Sequence, residues 1–465
     1  MFLGPKWEHR VRQIVICVLC TGVFCFHAWL AFPGKLTLSE SVMPLMGIKN
    51  GWYPVILSYA LDFLYFIGGH HVYWMLFLNL VPLYVGLFLW TTVVWKAVNF
   101  KSALVIPFLP ILINNIFSKS FILCSTTISA HFLFLLCAFL AYIVVLKKRG
   151  KVILSLFLLT ACVGCLTRHN ALIAMIPVAV YGFHFMVQNK KNIWVKDGLV
   201  IGFMILFSVG MPKFLQTSIS HPSSHLLLHG MAAACVPADD SSCFPGVWYE
   251  KGADWTYLKE TYQKNRYFAD PLSVGWIPNR PFNSHISAGL ILPYYVKAVL
   301  KHPVNYGRHA LGMLRQFLFL NTHGYYAVDD WEKSGIIDEQ RQYLKTVFPE
   351  SELNLMFSPI QREILSFLSA YTLFVSPFYF YLLPVFCLLI GCILYAKRLH
   401  RSLCSLLILF ATDGVLSAFF YSVFAPAVLY RYAYPVLISA LFAVGTLALC
   451  VWDCVKRKKG VECRE

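Results

Sequence analysis

Residues 121–151 read FILCSTTISAHFLFLLCAFLAYIVVLKKRGK. No Asp, Glu, Lys or Arg interrupts the run from Phe121 to Leu146, and Lys147, Lys148, Arg149 and Lys151 follow at once. A helix needs about 20 apolar residues to span a bilayer, so this run is long enough to cross. Working outward, comparable runs lie at 15–32, 73–95, 103–117, 152–166, 171–187, 198–214, 378–395, 403–424 and 435–454. A hydrophobic share of 58% with 13% charged residues excludes an ordinary soluble domain. The expected fold is an all-α polytopic membrane protein with about ten transmembrane helices.

Basic residues set the expected orientation. Lys6, Arg10 and Arg12 precede the first run, and Lys96 and Lys101 follow the second. Lys190, Lys191 and Lys196 follow the sixth, Lys397, Arg398 and Arg401 the eighth, and Lys456 to Lys459 the last. With ten crossings all of these share one side, while the opposite short loops hold only Lys35, Lys49, Lys119, Arg168 and Arg431. Positive charge collects on the cytoplasmic side, so both termini are expected there. The net charge of +17 is then a topology signal and calls for no nucleic acid. The first run, about 18 residues, exceeds a signal-peptide core and reads as a retained anchor.

Most of the 15 cysteines fall in predicted spans, where Cys serves as a small apolar residue. Cys235 and Cys243 lie outside them, and an oxidising compartment would allow them to close a short disulfide loop. No Asn-x-Ser/Thr acceptor occurs at 211–362, which suits a bacterial cytoplasmic (inner) membrane.

The spans divide the chain into an N-terminal transmembrane module (1–210), an external, periplasmic domain (211–362) and a C-terminal transmembrane module (363–465). A first external loop at 33–72 is too long for a simple connector. It holds Ser39-Glu40-Ser41, Asn50-Gly51-Trp52-Tyr53-Pro54, and an apolar interfacial helix at 55–67 interrupted by Asp62. In the large block, helical patterns run over 221–234 and 292–320 on either side of an aromatic-rich irregular stretch. A further interfacial helix is expected at 364–374. No internal repeat and no pair of broken helices is apparent.

The chain lacks GxxxxGK[ST], GxGxxG, GxSxG and paired CxxC motifs, so ATP-driven transport and serine hydrolysis lack their usual support. Single residues near the external interface remain. Glu40 can act as a general base toward an acceptor, or hold a divalent cation against a phosphate; a solvated loop residue is the plainer alternative. Asp62 needs a partner or water within its apolar run. Arg168, in Thr167-Arg168-His169-Asn170, and Arg431, in Tyr430-Arg431-Tyr432, suit a lipid phosphate. His221, His225 and His229 recur every four residues, a spacing that can bind metal or simply form a polar face. Asp239 and Asp240 are possible local ligands. Asp413 falls within the ninth span and is the main residue able to support proton-coupled transport. Trp248, Tyr249, Trp255, Tyr257, Tyr262, Tyr267 and Trp276 offer faces for sugar rings or acyl chains.

The long acidic first loop, the short-looped spans and the larger external block together resemble the GT-C superfamily of integral-membrane glycosyltransferases. The class holds protein mannosyltransferases and aminoarabinose transferases. Ser39-Glu40-Ser41, Asn50-Gly51-Trp52-Tyr53-Pro54, Thr167-Arg168-His169-Asn170, Lys297 to Tyr306, and Tyr430-Arg431-Tyr432 with Pro435 are similar to bacterial members. Where the family usually carries Asp beside a second acid, this chain has Glu40 between serines. The resemblance implies an inverting transfer from a polyprenyl-phosphate sugar to a glycan, lipid or protein acceptor, with Glu40 as the catalytic base and Asp62 as the next candidate. Arg168, His169, Tyr430 and Arg431 would hold the donor phosphate. Trp52, Tyr53, His70, His71, His225 and His229 would line the substrate path. No cofactor beyond a possible divalent cation is implied. A flippase or transporter of a lipid-linked saccharide, or an O-antigen ligase or polymerase, is the alternative.

Overall fold

Backbone groups inside lipid must bond within their own segment or to protein neighbours, and the apolar runs accordingly fold as helices. The computed structural model describes residues 5–32, 34, 38–49, 55–168, 171–187, 192–215, 222–273, 279–283, 285–319, 338–348, 357–371, 375–424 and 430–458. Among them there is no strand, and the β-structure is confined to isolated bridge residues, as between Tyr249 and Phe282. The helices that organise the molecule are α1 (Pro5–Ala31), α2 (Leu38–Leu45), α3 (Val55–Gly68), α4 (Tyr73–Ala97), α5 (Asn114–Ser120) and α6 (Ser125–Val145). They continue with α7 (Lys151–Thr167), α8 (Leu172–Met186), α9 (Ile193–Leu215), α10 (Pro222–Cys235), α11 (Trp255–Lys264) and α12 (Ala288–Lys301). The last are α13 (Pro303–Leu318), α14 (Pro359–Tyr371), α15 (Pro377–Ala396), α16 (Arg401–Phe424) and α17 (Tyr430–Lys458).

Among the described residues, six helices are long and apolar enough to cross a membrane: Trp7–Ala31, Tyr73–Ala97, Ser125–Val145, Pro377–Ala396, Arg401–Val423 and Ala433–Lys456. The other predicted spans fall on α7 and α8, of 17 and 15 residues, on α9, and on a broken segment. Expected as one continuous span at 103–117, that segment is Phe100–Ala103, a 3-10 turn at Ile106–Phe108, Leu109–Leu112 and then α5. Pro107 and Pro110 lack the N–H that a continuous helix needs, and Ile113 is extended at φ −101° and ψ 103°. Phe100 lies under Arg12 at one end of the bundle, and Ser120 meets His27 and Asn79 near the other.

Packing centres on α4 against α6 and on α15, α16 and α17. At Gly86 a Cβ would lie 3.1 Å from Leu135 Cα, so glycine permits the close approach of α4 to α6. Phe442 of α17 joins the two groups, with ring centroids 4.9 Å from Phe134 and 5.0 Å from Trp90. Arg12, Lys96 and Lys148 gather at one end.

A second core lies apart from the bundle core and is built from 228–298, with Leu228, Met231, Trp248, Leu258, Tyr262, Phe282 and Ile291 buried in it. Two of the aromatic residues read as sugar-stacking candidates, Trp248 and Tyr262, are therefore spent on packing. Trp276 lies outside the described residues. The helix expected over 292–320 is two helices, because Pro303 cannot continue α12 and opens α13 at its first turn. Cys235 and Cys243 are joined in a disulfide. The loop it closes is tied to the α12–α13 junction through Asp240, which accepts from His302 Nε2 and Lys301 Nζ, both at 2.7 Å. Those two partners, His302 first, hold the Asp240 carboxyl well below the usual carboxylate range. Replacing both cysteines with Ala is expected to cost this cap about 2–3 kcal/mol, the loop-closure value for so short a loop. Protease sensitivity of 222–301 with the bundle intact is the readout.

Candidate functional site

One end of the bundle is polar where lipid-embedded helices are normally apolar. All seven residues of α5 are buried, including Asn114, Asn115, Ser118, Lys119 and Ser120. Ser125, Thr126, Thr127 and Ser129 of α6 are buried beside them. Such a segment must be satisfied by its surroundings, and many of its groups are, although Ser118 Oγ is buried with no hydrogen-bond partner. Asn79 Nδ2 donates to the Ser120 carbonyl at 2.7 Å. His27 bonds Ser120 Oγ at 2.6 Å and Tyr84 Oη at 2.9 Å. His131 bonds the Asn79 carbonyl at 2.7 Å and Tyr434 Oη at 2.9 Å. Lys119, expected in an exposed short loop, is instead 3% exposed.

Later chain elements close over the same end. Asn115 donates to the Val375 carbonyl at 3.0 Å and accepts from its N–H at 2.8 Å. Ser358 and Gln361 cap α14 reciprocally, and Gln361 Nε2 reaches back to the Trp29 and Phe32 carbonyls at 2.6 and 3.1 Å. Asn115→Ala leaves both Val375 groups unpaired, so a stability loss of roughly 1–3 kcal/mol is expected. Thermal unfolding in detergent measures it.

The predicted site residues distribute around this polar segment. Glu40 is the third residue of α2; its side chain lies outside the description. Ser41, next to it, donates to the Leu123 carbonyl, which fixes the first turn of α2 against 121–125. Arg168 caps α7 in an extended conformation and donates through Nη1 to Ser125 Oγ at 3.2 Å. Tyr430 and Arg431, expected in a loop, form the first turn of α17, and their side chains are outside the description. Pro435, the sixth residue, lies inside α17, so the helix lacks one intrahelical hydrogen bond there. Arg431 is one turn from Tyr434, and Tyr434 is bonded to His131, so backbone register sets Arg431 near the start of α6. The structure thus brings α2, α5, the start of α6, Arg168 and the first turn of α17 to one end.

Other candidates sit differently. Asp62 is ion-paired with Lys49, Nζ to Oδ2 2.6 Å, and that ammonium also lies 4.4 Å from the Tyr59 ring centre. This pairing is the partner that Asp62 needs in an apolar helix. His70 is exposed and packs against Tyr65, while His71 stacks on Tyr73. Trp52, Tyr53, His169 and His221 lie outside the described residues. His225 and His229 lie on α10 and are buried beside the second core. Burial pushes their imidazoles down to about 3 and about 4 respectively. Asp413 is fully buried and accepts from Ser439 Oγ at 2.5 Å.

Among the described residues one group of three or more His, Cys, Asp or Glu donors is close enough to share a metal: Cys235, Asp240, Cys243 and His302. The disulfide already engages both of its sulfurs. No family model, curated protein or solved structure matches this chain. Sequence reasoning missed Asn79, Asn115, Lys119, His131 and Gln361. A signal was present for part of it: Asn114 and Asn115 fall within the expected span at 103–117, where such residues are costly unless they serve a site.

Proposed function

We propose that this protein is a membrane glycosyltransferase of the GT-C kind. It transfers a sugar from a polyprenyl-phosphate donor to a glycan, lipid or protein acceptor. In this reading the chain crosses the bacterial cytoplasmic membrane ten times, with the basic end and both termini cytoplasmic. The second core, 228–298, belongs to an external domain, and the polar end of the bundle opens toward it. Glu40 accepts the acceptor's proton. The acceptor attacks the anomeric carbon, and the bond from that carbon to the phosphate oxygen breaks, releasing polyprenyl phosphate. Arg168 and Arg431 offset the charge that grows on the leaving phosphate.

The observation that carries this reading is the meeting of the Glu40 helix and the Arg168 guanidinium at residues 121–125. Ser41 is tied to Leu123 and Arg168 to Ser125. A carboxylate for the acceptor and a fork donor for a phosphate would need such proximity.

The broken segment at 100–120 and buried Asp413 favour a second reading, transport of a lipid-linked saccharide. Proteoliposomes loaded with labelled polyprenyl-phosphate sugars separate the two. Cleavage of the sugar from the lipid supports the transferase. Movement of intact donor between leaflets supports the transporter.

A further inference from the structure

His229 is 3% exposed, yet its Nε2 has no hydrogen-bond partner. Buried polar atoms are nearly always paired, so an exception asks for an explanation. The carbonyls of Asn265 and Arg266 bond the ring, and since Nε2 is unpaired these bonds fall to Nδ1. That fixes the tautomer with a lone pair on Nε2. The ring lines a cavity of about 30 Å³ together with Leu226, Leu227, Gly230, Tyr295, Tyr306, His309 and Val423, room for a single ion or water.

The lining is built rather than left over. Gly230 follows His229, and a Cβ there would meet the Tyr295 ring at 2.7 Å; glycine lets the tyrosine reach the cavity. Tyr295 and Tyr306 hydroxyls bond each other at 2.7 Å. His309 uses Nδ1 toward Tyr262 Oη at 3.2 Å, which leaves its Nε2 as the remaining nitrogen. The His229 and His309 ring centres are 5.1 Å apart. Two imidazoles sharing a tetrahedral ion at about 2.0–2.1 Å per bond have ring centres about 5 Å apart.

We infer that this cavity is a binding site for one divalent transition-metal ion, with His229 and His309 as nitrogen ligands. The Tyr295 and Tyr306 oxygens, or water, complete the shell. Neutral imidazoles select zinc, copper and nickel over magnesium and calcium. The Asn265 and Arg266 carbonyls and Tyr262 are the outer partners that orient metal-bound histidines. Arg266 also faces His309, and its charge works against the ion. The site joins α10 to α13 and, through Tyr306 and the Val423 carbonyl at 3.5 Å, the cap to the end of α16.

The test uses the full-length protein in nanodiscs, stripped with a chelator and titrated with Zn²⁺ and Co²⁺. Wild type is expected to retain one equivalent of Zn²⁺ and to melt at a higher temperature with it. His229→Gln and His309→Gln are each expected to weaken binding at least 10-fold and to lose the thermal shift. His302 with Asp240, His184 with Asp197 and His400 with Asp453 are described pairs also able to take up metal, so His302→Gln, His184→Gln and His400→Gln serve as controls and should leave binding intact. A wild type that keeps no metal, or a stoichiometry unchanged in both His229→Gln and His309→Gln, overturns the assignment and leaves the cavity to water. Should either variant fail to fold, Tyr306→Phe, read by the Co²⁺ absorption spectrum, decides in its place. Altered bands support the site; absent bands in wild type refute it.

Discussion

Glu40→Gln is expected to lower release of polyprenyl phosphate by 10²–10⁴-fold, the range for removing a general base, while donor binding survives. Gln keeps the shape and loses the proton acceptor, so the loss should appear in kcat rather than in KM. The position argues for this size of effect. Glu40 sits in the first turn of α2, and the adjacent Ser41 holds that turn to the Leu123 carbonyl. Two residues further on, Ser125 receives Arg168. A base displaced by 1 Å loses much of its effect, so Ser41→Ala should reduce turnover as well, though less than Glu40→Gln. Asp62→Asn should act mainly on stability, because Asp62 is engaged by Lys49. A turnover loss in Asp62→Asn that matches Glu40→Gln would move the base to Asp62.

Arg168→Ala is expected to reduce turnover by 10²–10³-fold, the cost of one preorganised donor at a developing charge. Arg168→Lys should recover little of it. A lysine keeps the charge but not the planar fork that meets phosphate with two parallel bonds. Ser125→Ala removes one hydrogen bond to the guanidinium and should cost less than 10-fold, on the order of a single hydrogen bond. Donor titrations with each variant separate ground-state binding from transition-state stabilisation. A loss confined to KM would make Arg168 a docking residue only.

The six long apolar helices were legible from hydropathy because burial in lipid leaves one simple pattern. The Cys235–Cys243 pair was legible as a possibility from its position outside the spans. The start of α17 was not, since Tyr430-Arg431-Tyr432 reads as a polar loop until its helical register with Tyr434 is seen. The broken segment at 100–120 was misread because Ile106, Phe108, Ile111 and Leu112 keep hydropathy high while Pro107 and Pro110 divide the helix. His229 illustrates the deeper limit. Its spacing with His225 suggested a shared face, but its partner, His309, lies 80 positions further along the chain. Lys119 looked like a loop charge because sequence carries no signal of burial at a helix end. The long-range bonds of Asn115 to Val375 and Gln361 to Trp29 have no local signature at all.

The measurement that tests the central claim most directly is single-turnover reaction of the purified protein in nanodiscs with a panel of polyprenyl-phosphate sugars. The glycosyltransfer account predicts that at least one donor yields one polyprenyl phosphate for each sugar transferred, and that Glu40→Gln binds that donor without cleaving it. Donors that bind but keep the sugar–phosphate bond intact, while labelled lipid-linked sugar crosses the bilayer, would contradict it.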